Sequence, residues 1–288
     1  MPERFYIIVS KTCHCHCGLN ALGHEIHVSR FILFDLLQKN LIDPKSIIVT
    51  MLNERFFLYE KYFDNVISYE DYVMNKIDGI EEMDLTEYST FSRTDQIDAF
   101  KKINYHYDQF IKTDFFVNCM SNVHFQDLTQ TRITNDKFIL IHNRTKITGR
   151  ENKNIESFVK ILGRIKSLEN VNIVVFSSDA LNINIENVYI TNNLNVYCSY
   201  LNHKNCKLFI SEWSGGGQLS QYFYNGKILY YFDNYPSHDY EKNYLSFQEL
   251  ANKNTNVRES WDFKTVTNCE RFYYKTLDDM LDDLVEFI

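Results

Sequence analysis

Ser211-Glu212-Trp213-Ser214-Gly215-Gly216-Gly217-Gln218 is the segment of this 288-residue chain whose residue types speak most directly of chemistry. It stands between an apolar run and a helical pattern, and open α/β sheets place their ligands at such strand-to-helix turns. Three successive glycines let the backbone approach an anion closely. The start of a helix offers N–H groups with no intrahelical acceptor, and Ser214 adds a hydroxyl donor. The segment is neither a Walker A sequence nor a GxGxxG fingerprint, because no Gly-Lys-Ser/Thr follows and the glycines are contiguous. The alternative reading is a turn that uses glycine for positive φ alone.

A second group follows another apolar run. His142-Asn143-Arg144-Thr145-Lys146 comes directly after Phe138–Ile141, with Arg150 close behind. A guanidinium can fork two hydrogen bonds onto phosphate oxygens, so Arg144 and Lys146 suit an anionic ligand; a solvated basic loop is the bland alternative. Asn143-Arg144-Thr145 also has the form of a glycosylation sequon, discounted because it abuts a buried-looking strand. Ser177-Ser178-Asp179 follows a third apolar run, with small polar groups suited to a base, ribose or phosphate but equally common in plain loops. Three turns after three strands of one parallel sheet would face one crevice.

Near the other end, Gly18–Glu25 precedes a helical pattern. His24 and Glu25 stand at the start of that pattern, and the plain reading is that His24 simply begins a helix. Cys13-His14-Cys15-His16-Cys17 invites a zinc reading, but strict alternation sends neighbours to opposite sides of an extended chain, and no second compact ligand pair is evident, so no metal site is assigned. Asp233 stands in a Pro-marked turn after a further apolar run, the mark of a surface turn.

The elements that must position these residues alternate strand and helix, the pattern of parallel sheets covered by helices. Strands are expected at Phe5–Ser10, Ser46–Leu52, Asn65–Ser68 and Asp114–Cys119. In the second half they are expected at Phe138–His142, Asn172–Phe176, Asn187–Ile190, Lys207–Ile210 and Lys227–Phe232. Helices are expected near Ile26–Lys39, Tyr69–Lys76, Thr94–Phe110, Ile155–Leu168, Gln218–Tyr224 and Leu277–Ile288. A boundary in Leu128–Asp136 divides the chain into domains 1–132 and 133–288.

Composition narrows the function classes. The chain has 30 Lys+Arg against 38 Asp+Glu, a net charge of −8, which argues against a broad nucleic-acid surface. No apolar run is long enough to span a membrane, and no signal-peptide pattern opens the chain. Seven cysteines, three of them within five residues, do not form an extracellular disulfide framework, so a reducing, cytoplasmic setting is expected.

The stretch Asp136–Pro236 resembles the nucleotide-binding domain of GT-B-fold glycosyltransferases, through the strand ending in His142-Asn143-Arg144, the Ser177–Asp179 loop and the turn at Glu212–Gln218. The placement of Arg144 is also similar to that in fucosyltransferases that use GDP-fucose. The resemblance implies two Rossmann-like domains with parallel sheets facing across a cleft. The nucleotide-diphosphate sugar, GDP- or UDP-linked, would lie on the second domain, and a glycan or small-molecule acceptor against the first. It implies that Arg144 and the amides of Ser214–Gly217 neutralise the diphosphate, with Glu212 on ribose or donor-sugar hydroxyls and Asp233 or Tyr235 near the sugar. The Gly18–Glu25 loop is similar to the acceptor-side loop of these enzymes, which implies His24 as general base, with Glu25 orienting it or serving instead. No essential cofactor is implied, and the absence of an Asp-x-Asp triplet fits a metal-independent transfer. A nucleotide-sugar epimerase, a pyruvyl-type transferase, or a binding protein without catalysis are the competing expectations on the same plan.

Overall fold

The computed structural model describes residues 4–9, 22–85, 128, 136–143, 151–177, 184–232 and 269–288. Contacts divide the chain into two compact units, Met1–His124 and Phe125–Ile288. Each holds a wholly parallel sheet with helices, an α/β, Rossmann-like architecture. The expected helix at Thr94–Phe110 and strand at Asp114–Cys119 lie outside the described residues.

In the first unit, β1 (Tyr6–Ile8), β2 (Ile47–Thr50), β3 (Asn65–Ser68) and β4 (Glu82–Met83) pair in the order β3-β2-β1-β4. β1 and β2 are short apolar runs buried along their whole length, as strands of a sheet covered on both faces must be. Between them come α1 (Leu22–His24), a π-helical turn (Glu25–Ser29) and α2 (Arg30–Gln38). A 3-10 turn (Asn53–Leu58) precedes β3. Ser68 ends β3 and caps α3 (Tyr69–Asn75), its hydroxyl accepting from Asp71 N at 3.0 Å. This N-cap side chain satisfies one of the amides a helix start leaves open. α3 then lays Tyr72 edge-on against Tyr6, ring centroids 5.0 Å apart, in a core with Ile8, Ile47 and Val49.

The second unit contains β5 (Phe138–Asn143), α4 (Glu151–Leu168), β6 (Asn172–Ser177), β7 (Val188–Thr191), α5 (Leu194–Leu201), β8 (Cys206–Glu212), α6 (Gly215–Gln218), α7 (Ser220–Phe223), β9 (Lys227–Tyr231), β10 (Glu270–Tyr274) and α8 (Leu277–Asp283). Its sheet runs β10-β9-β8-β5-β6-β7. The chain therefore builds outward from β5 to β7, returns to the other side of β5 as β8, and builds outward again. That is the strand order of doubly wound dinucleotide-binding sheets, and the reversal falls between β5 and β8.

Alternation along the strands separates two cores. On one face Ile139, Ile141, Ile173, Val175, Leu208 and Ile210 pack with Phe158, Ile161, Leu162 and Ile165 of α4 and with Leu277 and Met280 of α8. The other face is aromatic: Phe138 meets Tyr200 edge-on at 5.6 Å, and Phe176 stacks on Tyr197 at 4.2 Å. α8 opens with a reciprocal capping box between Thr276 and Asp279. Among the described residues no helix is long and apolar enough to cross a membrane.

Several bounds differ from the sequence expectation. β8 extends through Ser211 and Glu212, and the helical turn begins at Gly215 instead of Gln218, because Ser214 is extended and caps it. α4 begins at Glu151, earlier than its apolar face alone suggests. α5 and β10 were not expected. Leu194, Tyr197, Cys198, Tyr200 and Leu201 of α5 are all buried, and Leu194, Tyr197, Cys198 and Leu201 fall at the i, i+3, i+4, i+7 spacing of a core-facing stripe on a helix of only 8 residues.

Candidate functional site

At the carboxyl edge of the second sheet the apolar strands turn polar in step. β5 ends in His142 and Asn143, β6 in Ser177, and β8 in Ser211 and Glu212, all buried. Register sets His142 opposite Ser211 and Asn143 opposite Ser177. His142 and Ser211 continue the aromatic face, and Asn143, Ser177 and Glu212 continue the face of α4. The point of strand reversal thus presents buried polar groups on both sides of the sheet, where open α/β sheets bind ligands.

His142 organises the first of these faces. Its Nδ1 is 3.2 Å from Ser211 Oγ and 3.3 Å from Ser214 Oγ. Ser211 Oγ donates its proton to Glu212 O at 2.6 Å, so its contact with His142 requires an N–H on Nδ1. The ring lies 5.7 Å from Phe176, stacked, and 6.0 Å from Tyr197. The imidazole therefore ties the end of β5 to the residue that caps the glycine turn.

The glycine turn is packed from beneath and held by hydroxyls. Ser214 Oγ accepts from Gly217 N at 3.3 Å, and Gln218 N donates to Ser214 O at 3.0 Å. The carbonyl of Gly216 accepts from Tyr197 OH at 3.0 Å. The carbonyl of Gly217 accepts from Ser220 Oγ at 2.8 Å and from Tyr230 OH at 3.2 Å. Burial pushes the Tyr197 hydroxyl well above its ordinary pKa, which keeps its donor proton in place. A Cβ on Gly217 would overlap Ser211 Oγ, so glycine is required there by close approach.

Two further side chains carry unanswered polar atoms. Asn143 is 4% exposed and its Nδ2 has no hydrogen-bond partner; Gln218 is 3% exposed and its Oε1 has none. Burying such atoms unpaired costs about 1–3 kcal/mol each. Trp213 follows β8, donates its backbone N–H to Tyr231 O at 2.9 Å, and stacks on Phe232 at 5.7 Å. The structure thus brings together His142, Asn143, Ser177, Glu212, Ser214, Gly215, Gly216, Gly217 and Gln218 on one sheet edge. Arg144, Lys146, Arg150, Ser178, Asp179, Asp233 and Tyr235 lie outside the described residues.

The first unit has its own buried polar cluster, where β1 and β2 end. Glu25 opens the π-helical turn and is 0% exposed. Its Oε2 accepts from Thr50 Oγ1 at 2.8 Å and Tyr59 OH at 3.0 Å, and its Oε1 from Arg55 NH1 at 2.6 Å. Ser29, at the far end of the turn, donates to Val9 O at 2.9 Å. The expectation of Glu25 as a base or orienting partner meets a buried carboxylate already holding three donors, which joins the turn to β2 and the 3-10 segment. The side chain of His24 and the whole Cys13–Cys17 run lie outside the described residues.

A cavity of about 420 Å³ opens at the opposite, amino-terminal edge of the second sheet, beside Asp136, Lys137, Glu169, Asn170 and Asn187. It is open and polar, and none of the described residues that border it carries a buried polar atom without a partner. Sequence reasoning missed Tyr197, Ser220 and Tyr230. Tyr197 lies on the buried stripe of α5, and all three look like ordinary core positions, so no local signal marks them.

Comparison of the chain with protein-family models, with curated proteins and with solved structures gave no match.

Proposed function

We propose that this chain is a glycosyltransferase that moves a sugar from a nucleotide-diphosphate donor to an acceptor hydroxyl without an essential metal. The observation that supports it is the coincidence of the strand reversal between β5 and β8 with the buried polar ends of those two strands. In this reading the diphosphate meets the amides of Gly215 and Gly216 and the side chain of Ser214, with Arg144, the residue after β5, and Lys146 adding positive charge. Glu212, Asn143 and Ser177, on the other face of the same edge, address hydroxyls of the ribose or the sugar.

In the reaction the acceptor oxygen forms a bond to the anomeric carbon, and the bond from that carbon to the diphosphate oxygen breaks. The leaving diphosphate keeps the electron pair, and preorganised donors stabilise the charge it gains. The acceptor proton passes to a base, for which His24 is the candidate by its place in the sequence. Glu25, engaged by Thr50, Arg55 and Tyr59, supports the turn that follows His24.

The test is a thermal-shift screen against nucleoside diphosphates and nucleotide sugars, followed by product analysis with a donor labelled in the sugar. A ligand at 100 times its Kd stabilises the fold by about 2.7 kcal/mol. Label on an acceptor supports transfer. Binding with an altered sugar and no new glycosidic bond points to epimerisation, and binding without turnover to a non-catalytic protein. A flat screen removes the reading.

A further inference from the structure

We infer that Asn143 is a ligand-binding residue whose side-chain amide donates to a hydroxyl of an uncharged ring, ribose or sugar, seated on the α4 face of the sheet's carboxyl edge. The inference rests on the diphosphate reading above and deepens it by assigning the two faces of that edge to different parts of one ligand.

The sheet builds both ways from β5, so Asn143 has a strand on each side. Register sets it opposite Ser177 of β6, and one residue beyond the His142–Ser211 pair it meets Glu212 of β8. Ser177, Asn143 and Glu212 thus form a row across three strands spaced about 4.8 Å apart. All three lie on the side of Val175, Ile141 and Ile210, which pack under α4. They are 0%, 4% and 2% exposed. Ser177 and Glu212 each interact with another group of the chain, whereas Asn143 Nδ2 has no hydrogen-bond partner. An amide hydrogen taken out of water with no acceptor weakens the fold, and a bound ligand that answers it accounts for its being kept.

The chemistry of the row selects the ligand group. A carboxylate at Glu212 repels a phosphate but accepts from a hydroxyl, and a hydroxyl both donates and accepts. One hydroxyl can therefore take the amide hydrogen of Asn143 and give its own to Glu212. A ligand in the crevice beyond the strand ends reaches both faces of the sheet, which leaves the face of His142 and Ser214 to the diphosphate.

Asn143→Leu and Asn143→Val remove the amide and keep an apolar side chain in its place. Each full-length variant is compared with the parent by thermal melting without ligand. Each is also titrated calorimetrically with pyrophosphate, with GDP and UDP, and with GDP-fucose and UDP-glucose. In at least one variant the melting temperature is expected to hold or to rise by about 2–4 °C, because a buried unpaired donor is gone. The Kd for the ring-bearing probe that the parent binds is expected to rise about 3- to 10-fold, while any affinity for pyrophosphate stays. A rise with GDP or UDP places the ribose at Asn143; a rise confined to the nucleotide sugars places the sugar there. A melting temperature lowered in both variants makes Asn143 a support of the fold and overturns the inference. An unchanged Kd for every ring-bearing probe overturns it, as does pyrophosphate binding that weakens in step. If the parent binds none of the probes, the diphosphate reading itself fails and the ring assignment with it, a failure distinct from variants that bind as the parent does.

Discussion

The imidazole of His142 fills the space that a side chain on Gly216 would need. A Cβ at that position would overlap Nε2 and come within 3.2 Å of both neighbouring ring carbons. The ring cannot retreat easily, being stacked on Phe176 and tied through Nδ1 to Ser211 and Ser214. The glycine turn and the end of β5 are thus fitted to each other, and a change in either is felt by both.

Gly216→Ala is expected to destabilise the protein by about 1–3 kcal/mol, the usual cost of overpacking, and to abolish nucleotide binding. Gly163→Ala is the control: it lies within α4, a Cβ there meets nothing within 4 Å, and it should add about 0.5–1 kcal/mol of stability. Urea denaturation of both variants checks the pair. Equal stability of Gly216→Ala and the parent would show that His142 yields.

Glu25→Ala is expected to cost about 3–5 kcal/mol, because it leaves the Arg55 guanidinium buried without its carboxylate. Replacing both partners, Glu25→Leu with Arg55→Met, should restore much of that loss. Denaturation of the two single variants and the double variant measures the coupling. A Glu25 variant of full stability with lost turnover would instead make this carboxylate a base.

Stability should fall above about pH 8.5–9. Burial pushes the Cys206 thiol and the hydroxyls of Tyr59, Tyr197 and Tyr224 above their ordinary values; for Tyr59 the neighbouring Glu25 carboxylate adds to the effect. In the unfolded chain these groups lose protons at ordinary pH values while the folded protein keeps them. The folded state then binds more protons, and stability declines with pH by up to about 1.4 kcal/mol per unit for each group. Below the thiol range the contribution is fully present. Urea midpoints between pH 7 and 11 test this, and Cys206→Ala should delay the onset to the tyrosine range near pH 10.

Arg144→Ala is expected to weaken nucleotide-diphosphate binding about 10- to 100-fold, the range for losing a hydrogen bond to a charged group, with little change in melting temperature. Calorimetric titration against GDP and UDP is the check. Unchanged affinity removes Arg144 from the site.

How much of this was legible in the sequence follows from where the information resides. β3 was read at its observed bounds, because Asn65–Ser68 is a short apolar run closed by a helix-capping serine. β5, β6 and β9 were found because buried parallel strands are nearly continuous apolar runs. The glycine turn was conspicuous, His142 was picked out for standing at a strand end, and Glu212 entered as a candidate through the resemblance, in a segment expected to be loop. The hydroxyls beneath the turn were invisible: the tie from Tyr197 to Gly216 spans a helix boundary, a strand and a turn, and only the folded chain brings the two together. Glu25 shows the converse. The resemblance suggested a base or its orienting partner, and its partners Thr50, Arg55 and Tyr59 come from segments whose approach no local pattern encodes.

The strand order of the second unit also bears on how the protein is made. β5 accepts β6 on one side and waits for β8 on the other, while β7 and α5 are synthesised in between. At ordinary translation rates that interval is on the order of seconds. During it, the apolar run Phe138–Ile141 offers an open hydrogen-bonding edge to any neighbouring chain, the situation from which strand-to-strand aggregation starts. A fragment truncated after β7 should therefore precipitate, and slow expression should favour holding by a chaperone until β8 emerges.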